Sequence, residues 1–183
     1  MAVLPIIKYG NPILRVQTSP VAEITEEHRI LVDDMIETMQ EAEGVGLAAP
    51  QVAESIAVCI VDLGLIEEGA APKAYINPVI LQVEGSESLE EGCLSIPDIR
   101  EEVIRPQIIQ VKYLDLYGTE HEEVCGGMLS RVLQHEIDHL NGVLFIDRIS
   151  SIKRKLLAKK LKRIAEKSGR TNGVAAHMVK GAL

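Results

Sequence analysis

Tryptophan is absent, phenylalanine occurs once, and with only four tyrosines the 183-residue chain has almost no aromatic surface. Its core must be built from Ile, Leu, Val, Ala and Met, and the stacking platforms that single-stranded nucleic acid requires are scarce. Long apolar runs are missing too. No uncharged stretch approaches the ~18 residues of a bilayer span, and "MAVLPIIKYG" lacks the basic start and apolar stretch of a secretion signal. A cytoplasmic protein with no membrane and no DNA partner is expected. Cysteine is sparse and odd in number: Cys59, Cys93 and Cys125 fit no disulfide framework, so reduced thiols are expected.

What is present is a 46% hydrophobic content, enough for one domain with its own core over residues 1–183. The net charge of −8 hides an asymmetry, because the last 33 residues hold ten Lys/Arg and one acid while residues 1–150 hold nine Lys/Arg and 26 acids. A basic tail follows an acidic body.

Hydrophobic spacing predicts three helices. Residues 25–43 place Leu31, Val32, Met35, Ile36 and Met39 on one face. Residues 128–140 carry apolar side chains on more than one face, which predicts a central, buried helix. Residues 151–167 set Ile152, Leu156, Leu157, Leu161 and Ile164 against a Lys/Arg face. Between the first two helices lie β-type segments: "IAVCIVDL", "AYINPVILQV", "REEVIRP", "IIQVKYLDL" and "EHEEV". This order predicts an α+β fold, with short antiparallel strands packed around the central helix and helices near both ends.

The stretch "LQHEIDHLNG" concentrates the chemistry. Histidines four apart on a helix point the same way, with Cβ atoms about 5–6 Å apart, so His135 and His139 can offer two nitrogens to one ion. Glu136 then sits beside the ion, where a carboxylate can take a proton from activated water and pass it to a leaving group. Two imidazoles and a carboxylate on a buried apolar helix are costly unless a partner such as a cation compensates them. Hydrogen bonds within a metal-free core are the plainer reading.

A third protein ligand is required. The extended pattern HExxHxxGxxH keeps Gly142 but ends on Phe145, which cannot ligate, and the one downstream glutamate, Glu166, belongs to the basic helix. An HExxH metallopeptidase cutting internal bonds remains the alternative enzyme. Cys93 in "EEGCLSIP" is the better third ligand, since a cation lowers the thiol pKa until the thiolate forms. As a small buried residue, or as a nucleophile served by a histidine, it would need no ion.

Three stretches, "GVGLAAPQV" (44–52), "EGCLSIP" (91–97) and "QHEIDHLNG" (134–142), resemble the signature motifs of the peptide deformylases, in that family's order and spacing. The resemblance implies removal of the N-formyl group from formyl-methionine on nascent polypeptides, with release of formate. It implies one divalent metal ion on Cys93, His135 and His139, usually Fe(II), with zinc, nickel or cobalt also acceptable to such ligands. It implies Glu136 as general acid/base, and Gln51 with the Leu94 backbone N–H as oxyanion donors. Substrate is expected to pair as a strand with backbone near Val45, Gly46 and Gly92, its methionine entering a pocket walled by Leu129, Val132 and Leu94. Arg131 stands where many members carry an aliphatic residue near the pocket mouth; it either favours acidic residues after methionine or points to solvent. The basic C-terminal helix and tail, about residues 151–183, are a candidate ribosome contact.

Overall fold

The computed structural model describes the backbone of residues 2–178 and the side chains of residues 2–169. The final residues of the expected basic tail, 179–183, lie outside the described residues, as do the side chains of 170–178.

The architecture is α+β. Helix α1 (Glu26–Glu41) leads into seven strands: β1 (Gly46–Ala48), β2 (Val58–Val61), β3 (Lys73–Glu84), β4 (Glu87–Cys93), β5 (Ile96–Arg105), β6 (Ile108–Leu114) and β7 (Glu120–Gly126). Helices α2 (Gly127–Leu140) and α3 (Ser151–Met178) follow. All ladders are antiparallel: five strands form one sheet in the order β1-β2-β3-β6-β7, and β4 and β5 form a separate hairpin.

Strand β2 explains the layering. All four of its residues are buried. Cys59 and Val61 face Val132, Leu133, Ile137 and Leu140 of α2, while Val58 and Ile60 face Val32, Met35 and Met39 of α1. A strand covered on both faces reads as an unbroken apolar run instead of an alternation. A third cluster joins Ile96, Ile99 and Val103 of β5 to Phe145 and Ile146 and to Leu157 and Leu161 of α3, with Cys93 at its edge.

Local signals explain the helix ends. The Thr25 N–H donates to the His28 ring 3.1 Å away at the start of α1, where Glu26 and Glu27 meet the positive end of the helix dipole. Gly142, with φ +70°, closes α2, and a Cβ there would lie 2.7 Å from the Arg15 backbone, so the chain turns where only glycine fits.

Two strands were not foreseen. β1 consists of small residues, and β4, "ESLEEGC", is rich in acids that disfavour strands, yet it pairs with β5 from Glu87↔Arg105 to Gly92↔Arg100. The last helix is longer than its apolar spacing suggests, and its face is narrower: Leu157 and Leu161 are buried, whereas Ile152 and Leu156 are 71% and 78% exposed.

Candidate metal centre

Helix α2 brings His135 and His139 onto one side, with ring centroids 5.0 Å apart. The end of β4 delivers Cys93, whose Sγ lies 3.3 Å from His139 Nε2. One ligand atom from each of the three lies within 4.8 Å of the others. Tetrahedral bonds of about 2.1–2.3 Å place donor atoms about 3.5 Å apart, so this spacing and this sulfur–nitrogen set fit a divalent cation. Burial would push the Cys93 thiol up, yet the charge of His139 and hydrogen bonds with both imidazoles hold it well below its usual value. Burial would likewise lower His135, but its bonds to Cys93 and Glu91 raise it well above the ordinary value. Thiolate paired with imidazolium is the charge separation that a cation exploits by taking the proton's place.

The two imidazoles are held differently. His135 Nδ1 lies 3.0 Å from Glu91 Oε2, which leaves its Nε2 free to face an ion. Nδ1 of His139 is buried without a hydrogen-bond partner among the described residues. Glu91 anchors a buried ionic network: Arg105 reaches it through Nε at 2.6 Å and Nη2 at 3.0 Å, and Arg131 through Nη1 at 2.9 Å. Arg105 continues to Asp138 at 2.7 Å, and Arg148 reaches Asp138 from the far side at 2.9 Å. Burial alone would raise the Glu91 carboxyl, but the hydrogen bonds of His135 and Arg105 and the Arg105 charge outweigh it and hold it at about 2.

Arg131 corrects an expectation. It is 5% exposed, so it does not point to solvent. Besides Glu91, its guanidinium donates to the Val103 carbonyl and the Glu87 carbonyl, both at 2.8 Å, tying α2 to both strands of the hairpin. The side chain borders the cavity, but these bonds within the protein engage its guanidinium.

Glu136, 4% exposed, has no comparable compensation. Burial raises its carboxyl to about 7, and the nearby imidazoles offset only part of that. Its Oε2 has no hydrogen-bond partner among the described residues. On its other side the backbone of Gly46 is so close that a Cβ there would lie 2.5 Å from Oε1 and 2.7 Å from Val132. Glycine is the residue that lets β1 and α2 approach this closely.

Gln51 sits in the short turn Ala49–Val52 after β1. Its Oε1 accepts the Ala48 N–H at 2.8 Å, which turns Nε2 toward Cys93 Sγ at 3.5 Å and Ser95 Oγ at 3.2 Å. A cavity of about 820 Å³ opens over the centre. Val45, Gly46 and Gln51 line it on one side, Gly92, Cys93 and Leu94 on the other, and Met128, Arg131, Val132, His135 and Glu136 come from α2. Leu129 is not among the lining residues and packs into the core beneath α2; Met128, 52% exposed, lines the cavity instead. Sequence reasoning also passed over Glu91, Arg105 and Asp138. An acid two residues before a ligand cysteine was a readable hint for Glu91, because ligating histidines usually donate to a carboxylate. Nothing local marks Arg105.

Comparison with known proteins points to a single family. Residues 3–155 match the family model described as polypeptide deformylase. The chain is 47% identical over 164 residues to the peptide deformylase of Acidobacterium capsulatum, covering 90% of this chain and 96% of that one. It is 43% identical over 182 residues to that of Prosthecochloris aestuarii, covering 98% of each. Among solved structures, the peptide deformylase of Legionella pneumophila matches with a TM-score of 0.82 at 36% identity, covering 94% of this chain and 98% of that one. The Thermus thermophilus protein matches with a TM-score of 0.84 at 39% identity, covering 91% and 99%.

Proposed function

The chain belongs to the polypeptide deformylase family, and from that premise we propose, residue by residue, how it removes the N-formyl group from the terminal formyl-methionine of newly made proteins. The observation that carries the assignment of roles is the convergence of Cys93, His135 and His139 beside the buried carboxyl of Glu136.

Cys93, His135 and His139 would hold one divalent cation, Fe(II) by family habit, with zinc, nickel and cobalt acceptable to a sulfur–imidazole set. When bound, the ion supplies Lewis acidity to the formyl carbonyl and to water. Glu136 takes the proton from the attacking water and delivers it to the departing nitrogen, a task suited to a carboxyl raised to about 7. Gln51 Nε2 and the Leu94 N–H donate to the oxygen that gains negative charge, each worth about 3 kcal/mol in comparable sites.

Substrate is held as an added strand. β1 is the edge of its sheet and β4 belongs to a two-stranded one, and the cavity runs between Val45–Gly46 and Gly92. Val132, Leu94 and Met128 supply apolar surface for the methionine side chain. The endopeptidase alternative loses its third ligand position: Phe145 is buried and stacks on His135 at 6.2 Å.

Residues 1–183 are read as one such domain. No helix among the described residues is long and apolar enough to cross a membrane, and the cytoplasm, where chains are made, is the compartment assigned. The exposed cations of α3, among them Lys155, Lys159, Lys160 and Arg163, form a face suited to ribosomal RNA. Replacing Lys159 and Lys160 by Glu abolishes salt-sensitive ribosome binding if this holds, with formyl-peptide activity unchanged; undiminished binding overturns it.

Formate release from formyl-Met-Ala-Ser tests the chemistry. Wild type releases formate, Glu136→Ala does not, and the acetylated peptide is inert. Formate release that survives in Glu136→Ala, or cleavage of internal bonds, overturns the reading.

A further inference from the structure

The N-terminal segment fastens both loops of the site. The Ile7 N–H donates to the Gln51 carbonyl at 2.8 Å and the Tyr9 N–H to the Ser95 carbonyl at 2.8 Å. Between them the half-buried Lys8 turns inward and its Nζ donates to the Leu94 carbonyl at 2.7 Å. The segment is itself held from behind: Gly10, at φ +103°, lies so close to α3 that a Cβ would be 2.6 Å from Ala165 Cβ.

The Leu94 carbonyl belongs to the same peptide unit as the Ser95 N–H, and that N–H donates to Cys93 Sγ at 3.4 Å. Lys8 Nζ, the Leu94–Ser95 peptide and Cys93 Sγ thus form a line of two hydrogen bonds through one polarisable amide. A cation drawing electron density toward the carbonyl oxygen makes the amide N–H a stronger donor. Hydrogen bonds to a ligating sulfur reduce its electron donation to a metal and so raise the metal's Lewis acidity.

We infer that Lys8 is a positioning residue that tunes the Cys93 sulfur through the Leu94–Ser95 peptide, so that an ion at the centre polarises the formyl group more strongly. This rests on the assignment of Cys93 as a metal ligand. It gives a purpose to turning a half-buried lysine onto a backbone carbonyl 86 residues away in sequence, with no carboxylate paired to it among the described residues.

The test uses full-length protein loaded with cobalt(II), as wild type, Lys8→Met and Lys8→Arg, read by the thiolate-to-cobalt charge-transfer band, by kcat and KM on formyl-Met-Ala-Ser, and by thermal melting. In Lys8→Met the sulfur loses hydrogen-bond support, so the band moves to longer wavelength and kcat falls about tenfold with KM unchanged. Lys8→Arg restores both. A band that stays in place in Lys8→Met overturns the inference, whether or not melting changes, because a purely structural role would leave the sulfur untouched. Absence of the band in wild type would instead remove Cys93 from the ligand set, and the inference with it.

Discussion

Glu91 and Glu136 are both more than nine-tenths buried and both lie beside the histidines of α2, yet one carboxyl is held at about 2 and the other is raised to about 7. The surroundings differ in compensation. Glu91 meets two guanidinium groups and an imidazole, Arg105 from β5 and Arg131 and His135 from α2. Glu136 meets the backbone of Gly46, Val132 and the cavity. One side of α2 is a closed ionic lattice that fixes a ligand ring; the other leaves a single carboxyl unpaired where a proton must come and go. A scaffold charge is one whose partners are all inside the protein. A working charge has its partner arrive with the substrate.

The sharpest way to break this contrast is to neutralise the working charge. Glu136→Gln should lower kcat by about 10²–10⁴-fold while thermal stability holds or rises, since an unpaired buried carboxyl is removed; a clear loss of stability would place Glu136 in the scaffold. Next in size is Gly46→Ala. A methyl group 2.5 Å from Glu136 Oε1 forces the carboxyl or β1 to move, and misplacing a reacting group by an ångström costs about 10²-fold in rate. Steady-state kinetics on a formyl-peptide should register that loss with metal content unchanged. On the other side of the helix, Glu91→Ala leaves Arg105 with Asp138 alone and Arg131 with backbone carbonyls but no counter-charge in the interior. Chemical denaturation should report about 3–5 kcal/mol lost, and metal titration an affinity about 10–100-fold weaker.

Acidity separates the two carboxyls more gently, and the signs are opposite. Glu91 is held at about 2, below its ordinary 4.5, so its contribution is complete above 4.5 and is lost as pH falls toward 2. Glu136 is raised to about 7, so its contribution is complete below 4.5 and is lost as pH rises through 7. Denaturation midpoints of metal-free protein should therefore decline at both ends, and Glu136→Gln should abolish only the decline between 4.5 and 7. An unaltered alkaline limb in that variant would refute the assignment.

The sequence made some of this legible and concealed the rest for identifiable reasons. His135, Glu136 and His139 could be read because helical geometry relates neighbours four apart, and the apolar spacing of α2 sits on the same residues. Strand β4 could not, because "ESLEEG" resembles a solvated loop until Arg105 and Arg131 supply the charges that let Glu91 be buried. Arg131 was expected either to favour acidic residues after methionine or to point to solvent, from its place near the pocket mouth; its partners Glu91, Val103 and Glu87 lie 28 to 44 residues away, beyond any local pattern. The exchange of Leu129 for Met128 at the cavity is an error of one position, and one helical step turns a side chain by about 100°. Ile152 and Leu156 extend the apolar stripe of α3, but their neighbours Leu157 and Leu161 are the ones that meet the third cluster.

The sulfur comes from the two-stranded hairpin and the imidazoles from a helix seated on the five-stranded sheet, with Cys93 and His139 46 residues apart. An ion gripped by all three would act as a rivet between the hairpin and the helix seated on the larger sheet. Chelation should then loosen the rivet first and the rest later: amide exchange in β4 and β5 would accelerate while β2, sealed on both faces, kept its protection.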